Sequence, residues 1–270
     1  MSSSPPAEAG SLQDEMHHKS VRGAAVQSAA VRGAAVQGAV RHPLDNAVWR
    51  ALTGPHAHLA QTVGQAVRYP VDVSPFVAVP DRPDENMWAD LAALVGPGSV
   101  LALMAGGPSA PEGWERVEDV HLVQMLGDDL VATPDAETGA LGAADVPEML
   151  DLVARTQPGP FRPRTVELGG YLGVRRDGRL IAMAGQRLSL PGWTEISAVC
   201  TDSEFRGQGL ASRLIRAVAV GIRAAGNTPF LHTAAGNTGA IRLYESMGFR
   251  LRRSWTMPLL RAPASAEPTP

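Results

Sequence analysis

The chain has little of what would fix its class by itself. It holds one cysteine, Cys200, in 270 residues. That excludes an intrachain disulfide and any metal cluster built on several thiolates, and it fits a reducing compartment. There is no large charge excess: 24 Lys and Arg stand against 27 Asp and Glu, a formal net charge of −3. A nucleic-acid binder carries a basic stripe, so no nucleic-acid partner is expected, although a small anion can still be held locally. No apolar run approaches the roughly 20 residues that cross a bilayer. The early residues lack the compact apolar core of a secretory signal. No membrane partner is therefore expected, and the cytoplasm is the expected location.

What is there is a globular composition, 44% hydrophobic and 19% charged, on a chain long enough for one large domain or two smaller ones. Arginine greatly outnumbers lysine, a compositional habit without functional meaning. Residues 1–41 read as a disordered tail. They open on Ser2-Ser3-Ser4-Pro5-Pro6, and Val21-Arg22-Gly23-Ala24-Ala25-Val26-Gln27 recurs as Val31-Arg32-Gly33-Ala34-Ala35-Val36-Gln37. Two copies of so short a unit are too few for a solenoid, and their glycines weaken any helix. Residues 263–270 read as a second, short tail.

Between the tails the patterns suggest two halves. Residues 42–130 predict an α/β domain of unknown role: a helix within Asn46 to Ala60, strands over Val71–Val79, Ser99–Met104 and His121–Met125, and a helix over Asn86–Val95 that ends before Gly96-Pro97-Gly98. His56 and His58 lie two apart without further ligands around them, so no metal is expected. Residues 131–262 are patterned more sharply. A helix over Asp145–Ala154 carries Val146, Met149, Leu150 and Val153 on one face. Strands are predicted over Val166–Val174 and Leu180–Leu190, joined through Asp177-Gly178, a hairpin signal. A strand over Thr194–Thr201 leads to a helix over Gly209–Ala225, then a strand over Phe230–Ala234. Asn237 caps a further helix that Gly248 stops, and Arg250–Leu260 is the last strand. Hairpins mixed with strand–helix–strand units imply an α/β (α+β) fold with a mixed sheet and helices on its faces.

The segment from Thr194 to Ser212 carries the chemistry. A strand ends, a short loop turns, and glycine-rich backbone opens a helix. Such a junction gathers unpaired N–H groups at the positive end of a helix dipole, which suits phosphate. Gly207 and Gly209 admit a ligand close to the main chain; Arg206 adds a permanent charge, with Arg213 further along the helix. A tight turn without any ligand is the plain alternative. No Gly-x-x-x-x-Gly-Lys-[Ser/Thr] loop is present. A dinucleotide fold would lack neither its alternating parallel strands nor an acidic residue roughly 20 positions on, and both are missing.

Arg206-Gly207-Gln208-Gly209-Leu210-Ala211 resembles the [Gln/Arg]-x-x-Gly-x-[Gly/Ala] loop of the GNAT acetyltransferase superfamily. Asn237 to Phe249, with Ala240, Leu243-Tyr244 and Gly248-Phe249 in order, resembles its second signature. The resemblance covers roughly residues 131–262 and is closest to the branch of glycine N-acyltransferase-like proteins. Residues 42–130 are similar to the N-terminal halves of that branch only faintly, as a degenerate second copy of the fold would be. The resemblance implies a mostly antiparallel mixed sheet flanked by helices. It implies an N-acetyltransferase that moves an acetyl or other acyl group from acetyl-CoA, or another acyl-CoA, to a primary amine in a ternary complex without a metal. It also implies roles for particular residues. Val199, Cys200 and Thr201 would pair with the pantetheine arm, and Arg206, Gly207, Gln208, Gly209, Leu210, Ala211 and Ser212 would hold the pyrophosphate. Asn237 would bond the cofactor arm and Tyr244 would approach its sulfur. Seven residues separate Asn237 from Tyr244, nearly two helical turns, so both face one way. The other use for Tyr244 is as a core aromatic beside Leu243 and Phe249.

Direct transfer needs a polarised carbonyl, a deprotonated amine and a proton for the leaving thiolate. Glu195 is the candidate base. On an ideal strand it shares a face with Ser197, Val199 and Thr201, a phase that a bulge would change; the alternative is a salt-bridged Glu195. Cys200, flanked by apolar residues, reads as a small buried hydrophobe and not as an acyl-enzyme nucleophile, and His232 reads as a structural strand residue. Arg162 and Arg164 could meet an acceptor carboxylate. The acceptor is a small-molecule or peptide amine, with a monomer or homodimer as the assembly. A non-catalytic acyl-CoA-binding regulator is the rival reading.

Overall fold

The structure, a computed structural model, describes residues 42–104 and 109–264. The tails expected over 1–41 and beyond 264 lie outside the described residues, whereas Pro263 is docked, its carbonyl accepting the Gly98 N–H at 3.1 Å. In chain order the helices are α1 Ala47–Leu52, α2 Met87–Val95, α3 Val146–Thr156, α4 Leu210–Ala224 and α5 Thr238–Ser246. The strands are β1 Gln61–Val63, β2 Ala66–Arg68, β3 Phe76–Ala78, β4 Val100–Leu103, β5 Glu115–Leu126, β6 Gly139–Leu141, β7 Tyr171–Arg176, β8 Arg179–Leu190, β9 Trp193–Thr201, β10 Thr228–Ala234 and β11 Arg250–Arg261.

All of these strands join one sheet in the order β1-β2-β3-β4-β11-β5-β10-β9-β8-β7-β6. Only β3–β4 and β9–β10 are parallel, so the mixed, mostly antiparallel sheet with helices on its faces is the observed class. The order is nearly symmetric about its centre. Antiparallel β2–β3, helix α2 and parallel β4 repeat, on a smaller scale, antiparallel β8–β9, helix α4 and parallel β10. Each half sends its last strand into the other: β5 pairs with β10, β11 pairs with β4, and β5 and β11 pair along their whole length in the middle. The division expected at residue 130 is therefore not a break in the sheet. Leaving out residues 115–126 would strip the ladder partner from both β10 and β11, exposing backbone groups that must be paired when buried.

Local chemistry accounts for most element ends. Asp177 and Gly178 have φ values of 51° and 79°, the two left-handed residues of the tight hairpin between β7 and β8. Gly248 ends α5 at φ 96°, where an added Cβ would sit 2.8 Å from the Asp129 carbonyl oxygen. Helix α4 buries Leu210, Leu214, Ile215, Val218 and Ile222 against the sheet, each worth roughly 1.5–3 kcal/mol relative to exposure.

Two strand expectations need correction. Of Val71–Val79 only Phe76–Ala78 is strand, because the Pro70 carbonyl accepts N–H bonds from both Val73 and Ser74 and turns the chain. Of Val166–Val174 the first part is a single 3-10 turn, Thr165–Leu168, and the strand starts at Tyr171. That turn is fixed from a distance: the Thr165 hydroxyl donates to the Val73 carbonyl at 2.7 Å. The short edge strand β6 was not anticipated.

Candidate active site

Strands β9 and β10 pair only at their first residues, Thr228 with Trp193, Pro229 with Thr194 and Phe230 with Glu195. Beyond that point each keeps its outer partner, β9 with β8 and β10 with β5, and the two splay. The cause lies in β9. Between the pairs Met183–Cys200 and Gly185–Ser197 it carries one more residue than β8, and Ala198 in that stretch has φ 52°. This is a bulge, which bends its strand and shifts the side-chain phase.

A cavity of about 740 Å³ occupies the opening. Ser197 to Thr201 line one wall and His232 to Ala234 the other, with Arg206, Gly207 and Gly209 to Ser212 at one end. At that end the backbone N–H groups of Gly207 through Ser212 have no backbone acceptor among the described residues; the first helix-type bond runs from the Arg213 N–H to the Gly209 carbonyl. Gly207 and Gly209 adopt φ 79° and 75°, and a Cβ on either would meet nothing within 4 Å. The row of donors and the room above it make a cradle for phosphate oxygens. The buried Thr201 hydroxyl on the cavity wall has no hydrogen-bond partner among the described residues, an orphan that a polar ligand arm would satisfy. Together the residues fit a pantetheine pyrophosphate. The matching junction of the N-terminal half, between β3 and α2, reads Val79-Pro80-Asp81-Arg82-Pro83-Asp84-Glu85-Asn86, with three acids and no glycine, which would repel phosphate.

Most of the expected cofactor residues come together here. Val199, Cys200, Thr201, Arg206, Gly207, Gly209, Leu210, Ala211, Ser212 and Asn237 all line the cavity, whereas the exposed Gln208 side does not. Arg213 does not serve the cradle: its guanidinium is taken by Asp135 at 2.8 Å and Glu137 at 3.0 Å. Asn237 caps α5 by accepting the Ala240 N–H and donates to the Thr233 hydroxyl, each at 3.4 Å. Tyr244 lies on the same helix and reaches the cavity. Burial pushes its phenol up to about 12, so it is a neutral hydroxyl, a donor, at any working pH.

Glu195 is not brought to the cavity wall. It is fully buried, its two oxygens accepting from Arg187 Nε at 2.9 Å and Nη2 at 2.7 Å, and Oε1 also from His232 Nδ1 at 2.7 Å. Burial alone would raise its pKa, but the Arg187 charge, with the hydrogen bonds from Arg187 and His232, outweighs it and brings the carboxyl down to about 2. The bulge, lying between Ser197 and Cys200, breaks the phase that would put Glu195 on the face of Val199 and Thr201, and the salt bridge holds its carboxylate inside. His232 is fixed at its other nitrogen too. Gln124 donates from Nε2 to the Leu44 carbonyl at 3.0 Å and to His232 Nε2 at 2.8 Å, while its oxygen accepts from Arg252. The imidazole is thereby set as an Nδ1–H donor to Glu195 and an Nε2 acceptor from Gln124. Arg164 is also spent, on Glu167 and Asp72.

Sequence reasoning missed the far end of the cavity. There Phe76, Met104, Val120 and Leu122 from the N-terminal half, with Met257, form an apolar chamber beside Arg187. Arginine inside the apolar run of β8, eight residues before a glutamate on the next strand, was the available signal for the Arg187–Glu195 pair. Among the described residues no group of His, Cys, Asp or Glu side chains could hold a metal ion, and no helix is long and apolar enough to cross a membrane.

The family model described as FR47-like protein matches residues 171–257, from β7 into β11. The chain is 31% identical over 137 residues to the N-alpha-acetyltransferase RimI of Mycobacterium tuberculosis, a match covering 46% of this chain and 85% of that protein. Among solved structures, a GNAT-family protein from Novosphingobium aromaticivorans is 41% identical, with a TM-score of 0.75, over 83% of this chain and 100% of that one. A GCN5-related N-acetyltransferase from Kribbella flavida, 18% identical, has the same fold at a TM-score of 0.54 over 81% of this chain and 96% of that one.

Proposed function

Because the chain belongs to the GNAT superfamily of acyl-CoA-dependent N-acyltransferases, we propose that it transfers an acetyl group from acetyl-CoA directly to a primary amine, both substrates being bound at once in the cavity between β9 and β10. One observation carries this reading. Gly207 and Gly209 to Ser212, whose N–H groups have no backbone acceptor among the described residues, line the same cavity as Tyr244, so one extended thioester can lie with its pyrophosphate on those donors and its sulfur near the phenol.

In this reading the pantetheine arm runs along Val199 to Thr201, bonding backbone that the splay has released and the orphaned Thr201 hydroxyl, with Asn237 on the opposite side. The amine nitrogen attacks the thioester carbonyl, a C–N bond forms and the C–S bond breaks. The departing thiolate accepts a hydrogen bond from the Tyr244 phenol, and the proton that the amine loses passes through water to the sulfur. A thiol has a pKa near 8.5, so a hydrogen bond from a neutral phenol eases its departure. Glu195 takes a supporting part: it holds Arg187 and His232 at the base of the splay and does not itself receive the amine proton.

The test is calorimetric titration with acetyl-CoA, followed by release of free thiol in the presence of amines. Wild-type protein should bind acetyl-CoA and release thiol only when an amine acceptor is added. Thiol release that no amine accelerates would overturn the transferase reading.

A further inference from the structure

The acid-free wall of the cavity says which amines it can take. Resting on the acetyl-transfer reading above, we propose that the acceptor is an α-aminoacyl unit with an apolar side chain, its amine next to a neutral peptide-type carbonyl that Arg187 recognises through Nη1, its side chain in the chamber formed by Phe76, Met104, Val120 and Leu122.

Three observations converge. First, among the described residues that line the cavity there is no Asp or Glu; the charged ones are Arg187 and Arg206. A polyamine or a second ammonium group would enter without a counter-charge, which is costly in a desolvated site. Second, among the described lining residues there is no carboxylate, and no imidazole with a free nitrogen, to receive a proton from an ammonium. Glu195 is enclosed, and both nitrogens of His232 are committed, to Glu195 and to Gln124. The amine must arrive neutral. At pH 7 an α-amine with a pKa of about 7.7–8.0 is neutral several hundred-fold more often than a lysine amine at about 10.4. Third, Arg187 uses Nε and Nη2 on Glu195 and stacks over the Phe76 ring at 5.0 Å, while Nη1 has no hydrogen-bond partner among the described residues. Its charge is already balanced by Glu195. What Nη1 offers the cavity is a hydrogen-bond donor, suited to a neutral carbonyl more than to a carboxylate. The acetyl group is only two carbons long, so the apolar chamber beyond the splay is left to the acceptor.

The experiment measures kcat/KM for acetyl transfer by the full chain at pH 7 with four acceptors: leucinamide, a leucyl dipeptide, free leucine, and isoamylamine, which is leucine without its carboxyl group. Leucinamide and the dipeptide should exceed free leucine and isoamylamine by at least tenfold. Comparable rates for the two would extend the class to peptide N-termini, and a dipeptide tenfold slower would restrict it to small aminoacyl compounds; both support the aminoacyl unit. At pH 10.5, where an alkyl amine of pKa about 10.4 is about half neutral and the α-amines more so, a preference for leucinamide over isoamylamine well beyond twofold isolates the carbonyl contact, and Arg187→Lys should reduce that residual preference more than it reduces the isoamylamine rate. Equal or faster turnover of isoamylamine or free leucine at pH 7 overturns the inference and leaves the transferase reading standing. Acetyl-CoA binding without turnover of any amine overturns both.

Discussion

Replacing Glu195 by glutamine separates a structural carboxylate from a catalytic one. Glu195 and Arg187 are buried together, with side-chain exposures of 0% and 10%, and Arg187 stacks over the Phe76 ring. Glutamine keeps the shape and removes the charge, so the guanidinium is left buried and uncompensated. Breaking a buried pair in this way costs about 3–5 kcal/mol. The pKa gives an independent figure. A carboxyl held at about 2 against a reference of 4.5 corresponds to about 3 kcal/mol of stability at neutral pH. For a chain of this size that is a fall in Tm of roughly 10 °C. The sign of the pH dependence follows from the direction of the shift. The folded-state pKa is lowered, so the contribution is fully present above pH 4.5 and is lost as pH falls towards 2. Urea unfolding of wild type and Glu195→Gln at a series of pH values reads the difference directly, because other titrating groups cancel. The gap should be constant from pH 7 to about 5 and shrink between pH 4.5 and 2. The folded fraction of the mutant should keep its turnover within a few-fold, with the pH–rate profile of wild type. A mutant as stable as wild type at pH 7 that loses turnover a hundredfold, rescued by alkali, would refute this reasoning and restore Glu195 as the base.

Tyr244→Phe removes only the hydroxyl and keeps the ring packing on Phe249 at 5.8 Å between centroids; turnover should fall by roughly 10²-fold while Tm and acetyl-CoA affinity hold, the sign of an interaction made in the transition state. Gly209→Val puts a branched side chain at φ 75° into the space of the phosphate cradle; calorimetry should find acetyl-CoA binding lost while circular dichroism stays native, and unchanged affinity would move the site elsewhere. A chain starting at His42 should bind acetyl-CoA as the full chain does. A fragment starting at residue 131 should fail to fold alone, because β10 and β11 lose β5, and should recover binding when residues 42–130 are supplied as a separate chain; a stable, monomeric fragment would show that the shared sheet is dispensable.

The sequence by itself determined what depends on local geometry. The glycines at 207 and 209 adopt positive φ and the helix start after them leaves N–H groups unbonded wherever the rest of the chain lies, so this row of backbone donors was legible residue by residue. The same holds for the Asp177-Gly178 hairpin, the Asn237 cap and the seven-residue spacing that puts Tyr244 on the face of Asn237. What only the tertiary structure decided involves partners far apart in the chain. The exchange of β5 and β11 between the halves pairs strands more than 120 residues apart, and no periodicity records which strand a strand will meet. Arg187 and Glu195 each look like an ordinary charge in a hairpin, and only the buried register shows that they neutralise one another. The bulge at Ala198 set Val199 and Thr201 out of phase with Glu195 where the splay opens, a one-residue offset that alternation along a single strand cannot reveal. The apolar chamber was the least legible part, because its walls are plain apolar residues of the N-terminal half, and an apolar side chain lines a cavity only when folding leaves it facing a space.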